Sequence, residues 1–168
     1  DKLLHFQDLS GNFPVYLHEY PECKDRWLVA SILPVFVWIV RHFPAVLAGA
    51  LRDRFQQSVQ KALDYCLTLR ADKLPVHVGV KIACSAHALG KVWQRSDLVQ
   101  LADAWLSELL VQAEDPNYSG WYVPQTLAET LASLDLVYSD LSSSPWKAAW
   151  QQAFRFWHPT LLSYVGPG

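Results

Sequence analysis

The 168-residue chain has no methionine, only three cysteines and seven glycines, and charges that nearly cancel at −2. Each shortage removes a class of protein. Cys23, Cys66 and Cys84 are far apart, odd in number and without a CxxC pair, so they form neither a disulfide framework nor a zinc site and are expected as packed thiols. Reduced thiols fit a cytoplasmic compartment. The charge balance lacks the basic footprint of a nucleic-acid binder, and no nucleic-acid partner is expected. The uncharged run from Trp27 to Val40 is shorter than the ~20 residues a bilayer requires, so burial in a core is expected rather than a membrane span. There is no Gly-rich phosphate loop and no GxSxG elbow, and no cofactor is expected. His77 and His87 stand ten apart without a Glu-x-x-His partner, which argues against a metal site. The chain starts at Asp1 and ends on Gly-Pro-Gly, and it reads as a piece of a longer protein.

What is present is helical periodicity. Apolar residues recur at three and four, with Pro and Ser between the segments. This predicts helices at Asp25–Phe43, Ala45–Arg70, Pro75–Gln94, Ser96–Glu114, Pro124–Asp140 and Ser144–Trp157. The expected class is all-α, a single domain of three antiparallel helical hairpins (25–70, 75–114 and 124–157) behind an irregular segment, 1–24. The odd helices open 50 and 49 residues apart and the even ones 51 and 48 apart, which suggests a repeat of about fifty residues. Leu51, Leu101 and Trp150 recur one repeat apart, each followed four residues later by Phe55, Trp105 and Phe154. Pro34 is expected to kink or divide the first helix. Asp25 is placed to favour that helix's start, and Arg26 to pair with Glu22 or Asp72.

Polarity separates odd helices from even ones. The first is apolar all round, and the third, "VHVGVKIACSAHALGKVW", is built of small residues with only Lys81 and Lys91 charged. Both are expected as inner helices. The second and fourth carry an ordinary apolar stripe and a wet back, as outer helices do. Trp38, Trp93, Trp105, Trp146, Trp150 and Trp157 fall at helical positions and are expected in the core. Short connections follow the odd helices, whereas the segments leading into them are longer and richer in polar and aromatic groups.

This pattern resembles part of an α/α toroid, the barrel of six-hairpin glycosidases, several polysaccharide lyases and terpene-cyclase-like proteins. Three hairpins are half of such a ring. The resemblance implies a carbohydrate-directed domain whose cleft is lined by loops at the inner-helix N-termini. Those loops offer Asn12, Tyr16, His77, Asn117, Tyr118, Trp121, Tyr122 and Gln125 as ligand-binding residues, aromatic faces for the sugar ring and amides for its hydroxyls. If the domain is a glycosidase, Glu19 and Glu129 are the carboxyl pair, about 5 Å apart for retention or about 6.5–9.5 Å for inversion. If it is a lyase, His18 or Tyr20 supplies the base, and Asn12 or Asn117 the amide that steadies a uronate. The alternative expectation is a non-enzymatic helical-repeat module that offers its rim or an open edge to a protein partner, or to a second copy through the apolar first helix.

Overall fold

A computed structural model describes residues 2–47, 49–71, 73–115, 117–152, 157–158, 160 and 163–164. The protein is all-α. Its helices are α1 (Leu28–His42), α2 (Ala50–Thr68), α3 (Val76–Val92), α4 (Ser96–Ala113), α5 (Pro124–Leu134) and α6 (Lys147–Gln151). Short 3₁₀ segments precede α1, follow α2 and precede α5, and Trp157–His158 pairs antiparallel with Ser163–Tyr164 as a two-residue ladder.

Helix α3 is the centre of the packing, and its sequence explains why. All of its residues except His77, His87, Lys91 and Val92 are buried. Its glycines let α4 approach closely: a Cβ at Gly79 would lie 2.7 Å from Leu109, and one at Gly90 would lie 2.8 Å from Val99. These contacts join the start of one helix to the end of the other, so α3 and α4 run antiparallel. Helices α1 and α2 do the same, with Phe36 edge-on to Phe55 at 5.3 Å and the Tyr65 hydroxyl donating to the Arg26 carbonyl.

The odd helices all point one way. Lys81, in the second turn of α3, reaches Ser31 near the start of α1 and Glu129 of α5. At the other end, Arg41 of α1 donates to the Leu136 carbonyl just beyond α5 (2.9 Å). Helix α3 therefore lies between two helices of the same direction, α1 and α5, with α4 packed along it.

The N-terminal segment is fastened by backbone. Gly11 has φ +110°, and a Cβ there would sit 2.2 Å from the Lys61 carbonyl oxygen, so this close approach to α2 requires glycine. Gln7 donates to the carbonyls of both Gly11 and Ser58 (2.9 Å each). Asp8 accepts from the backbone of Gly11 and Asn12 and from Ser10.

Several boundaries differ from expectation. Helix α1 starts at Leu28, because Asp25 accepts the Trp27 N–H (2.7 Å) and forms a turn ahead of the helix. Pro34 does not divide α1, which is continuous around it while Leu33, Phe36 and Val37 anchor it in the core. Helix α2 starts at Ala50 rather than Ala45, after Gly49 at φ +55°. Helix α5 stops at Leu134, six residues before the expected Asp140. Thr130 and Ser133 spend their hydroxyls on carbonyls one turn back, a habit that weakens helices. Helix α6 is only five residues long, and Trp157 belongs to the ladder rather than to a helix. Phe154 lies outside the described residues. Of its counterparts, Phe55 and Trp105 are buried, and Leu51, Leu101 and Trp150 are all half-buried.

Candidate functional site

The residues expected at one rim divide into two groups. The first belongs to the N-terminal segment. Asn12 is buried, its side-chain amide donating to the Asp25 carbonyl (2.8 Å), so it holds the chain rather than facing a ligand. Tyr16 is exposed and stacks on exposed His18 at 5.6 Å. Tyr20 packs edge-on against Phe6. Glu19 is half-buried with Lys24 at 4.0 Å, and one of its carboxylate oxygens is buried without a partner. Beside it stands Cys23, whose thiol donates to Asp8. Burial, that hydrogen bond and the two nearby carboxylates push the thiol's pKa up to about 12, so it is a poor nucleophile. Cys66 and Cys84 are buried.

The second group gathers around α3. Gln125 donates to Glu129 (2.9 Å), and Glu129 forms an ion pair with Lys81, which also donates to the Ser31 hydroxyl (3.1 Å). Hydrogen bonds first from the Lys81 ammonium and then from the Gln125 amide hold the Glu129 carboxyl below its ordinary range. His77, one turn before Lys81, is pushed below its ordinary pKa of 6.5 by burial and by the Lys81 charge, against the pull of Glu129. Tyr118 brings its hydroxyl to the His77 backbone and its ring edge-on to Trp121 at 5.6 Å. Asn117 is exposed and bonded to Asp115 within its own loop. Tyr122 closes the 3₁₀ segment Ser119–Tyr122; its side chain and Asp72 are outside what is described.

Glu19 and Glu129 thus have separate partners. Glu19 faces Cys23 and Lys24, whereas Glu129 faces Lys81, Gln125 and His77. An ionised Glu129 held by a lysine also lacks the proton a general acid must deliver. The two tryptophans of interest exchange their expected places. Trp121, expected at the rim, is 1% exposed and donates its indole N–H to the Ala113 carbonyl (2.8 Å), satisfying one of the acceptors left open at the end of α4. Trp38, expected in the core, is 50% exposed. The first helix is not buried all round: Val35 and Trp38 face outward, as does Trp27 just before it. Of the other tryptophans expected inside, Trp105 and Trp146 are buried and Trp93 and Trp150 half-buried.

Trp38 stands on a cleft that sequence reading missed. Pro34, Val35 and Trp38 of α1 form one wall, and Ala132 and Leu136 on the α5 side form the other; the volume is about 350 Å³. Lys81, Glu129, Ser31 and Ser133 bring polar atoms into an otherwise apolar lining. Lys81 is only 5% exposed, so its charge needs the Glu129 carboxylate. The signal for this pair was present in the sequence, since a lone lysine among "VHVGV" and "IACSA" must find an acid on a neighbouring helix. Which acid it would be depends on packing. Among the described residues, no three His, Cys, Asp or Glu side chains are grouped to hold a metal ion, and no helix is long and apolar enough to cross a membrane. The chain matches no protein-family model, no curated protein and no solved structure.

Proposed function

We propose that this chain is a non-enzymatic interaction module of helical-repeat type, and that the α1–α3–α5 cleft receives an apolar segment of a protein partner. The observation that carries this reading is the cleft itself, with exposed Val35 and Trp38 along one wall of a groove between two helices of the same direction. Contiguous exposed apolar surface of this kind marks interaction sites. Three odd helices in one direction, with α4 packed outside them, also support placing the chain among α/α-toroid-like arrays. The different partners of Glu19 and Glu129, and the lysine that holds Glu129 ionised, weigh against glycoside cleavage, which needs an acid able to deliver a proton. Sugar binding without cleavage is a second reading, favoured by an exposed Trp38 ring beside a polar floor.

Selection of a random-peptide library on the full chain tests the first reading, with Trp38→Ala and Val35→Lys as counter-targets and a glycan array run on the same sample. The expected result is a set of apolar peptides that bind the wild type and lose both variants. Glycan binding that depends on Trp38, with no enriched peptide, would transfer the conclusion to sugar binding. Peptides indifferent to both substitutions would remove the cleft from the function.

A further inference from the structure

Resting on the protein-binding reading of this cleft, we infer that its occupant is recognised through one uncharged residue in extended conformation, flanked by apolar side chains. The carbonyl of that residue accepts from Lys81, and its N–H, which points to the same side of an extended chain, donates to Glu129. The argument begins with donor and acceptor capacity. A lysine ammonium has three N–H donors. In Lys81 one goes to the Ser31 hydroxyl and one to Glu129, which leaves a third on a side chain that is almost entirely buried and lines the cleft. Glu129 accepts from Lys81 and from Gln125, and a carboxylate has about four lone-pair sites, so acceptor capacity remains beside the spare donor. The cleft therefore offers a donor and an acceptor side by side, surrounded by Pro34, Trp38 and Leu136.

Charge selects among the groups that could use them. The ammonium and the carboxylate already neutralise each other. A ligand carboxylate reaching Lys81 would lie against Glu129, and a ligand cation reaching Glu129 would lie against Lys81; in a largely apolar groove neither repulsion is screened as it would be in water. A neutral extended residue escapes both, because its carbonyl and N–H point to the same side and present opposite partial charges to the two ends of the pair. The cleft volume falls at the lower end of the roughly 300–1,000 Å³ of ligand sites, a space suited to a short stretch of chain rather than a folded surface.

The test is an NMR titration of the full chain, following the Trp38 indole N–H resonance assigned with Trp38→Phe. The probes are three versions of one residue: N-acetyl-leucine methylamide, its free acid N-acetyl-leucine, and leucine methylamide with an ionised amino end. The neutral probe is expected to shift Trp38 saturably and to bind about tenfold more tightly than either charged form, the size of one lost charge-assisted hydrogen bond. Lys81→Met leaves the Glu129 carboxylate without its partner, so in this variant the probe with the ionised amino end should bind most tightly and the free acid least. The wild-type comparison stands alone if the variant does not fold. Equal binding of all three probes at Trp38 would overturn the inference while leaving the cleft as a protein-binding groove. Tighter binding of the free acid would overturn it in favour of an anionic ligand. No shift from any probe, on protein whose library-selected peptides still depend on Trp38, would overturn recognition of the extended residue alone.

Discussion

The block formed by α3, α4 and Trp121 and the open face formed by α1 and α5 are built with similar proportions of apolar side chain, yet one is closed and the other is not. In the block, glycines at 79 and 90 bring the helices together, and Trp121 ends α4 with a hydrogen bond. On the open face, α1 and α5 are bridged by polar groups at both ends of the cleft, Lys81 with Glu129 and Arg41 with Leu136, and the apolar walls between them stay apart. The difference teaches that apolar content alone does not close a surface. Close approach needs small residues where backbones meet, and α3 supplies them toward α4.

The largest expected effect lies in the block. Trp121→Ala should cost about 3–5 kcal/mol, since it empties a buried site and strips a carbonyl of its donor. Urea unfolding checks it, and a loss comparable to that of a surface substitution would return Trp121 to the rim. Gly90→Ala comes next, at about 1–3 kcal/mol, because the new methyl meets Val99 and the Arg95 carbonyl at 3.2 Å. If it were neutral, the helices could part easily and the contrast with the open face would fade.

Acid should touch both regions. His77 below the cleft and His87 against Asp103 are each held below the ordinary pKa of 6.5, with burial the leading cause. The folded state thus binds these protons less readily than the unfolded chain does. Their stabilising contribution is complete above about pH 6.5 and falls as the pH drops toward the lowered values. Melting temperatures at about pH 7.5 and about pH 5.5 should differ by a few degrees, and His77→Gln should reduce that difference. An unchanged difference would locate the acid sensitivity elsewhere. The smallest effect is expected from Trp38→Ala, which should change stability by no more than about 0.5 kcal/mol, as for a surface site. A loss near that of Trp121→Ala would mean that Trp38 belongs to a closed core.

Much of the helical architecture was legible because it rests on local pattern. The 3.6-residue periodicity located α1 to α5, and the small residues of "VHVGVKIACSAHALGKVW" announced a helix enclosed on several sides. Less legible were the ends of α5 and α6, where hydroxyl side chains and an unforeseen ladder replaced helix. The candidate site was harder still. Gln125, Glu129 and His77 do come together, but Asn12 is tied into the N-terminal segment with Asp8, Tyr16 stacks on His18, Glu19 pairs with Lys24 and Tyr20 packs on Phe6, contacts that leave no periodic trace in the sequence.

By itself the sequence determined the all-helical class, the enclosure of α3 on several sides and a cysteine spacing without CxxC pairs, because periodicity, residue size and cysteine spacing act over short stretches of chain. Only the tertiary structure decided that Trp121 is core and Trp38 surface, that Glu129 answers Lys81 rather than Glu19, and that a cleft opens between α1 and α5. Those outcomes depend on which helices meet and how closely, and the meeting of Ser31, Lys81 and Glu129 joins residues about fifty positions apart.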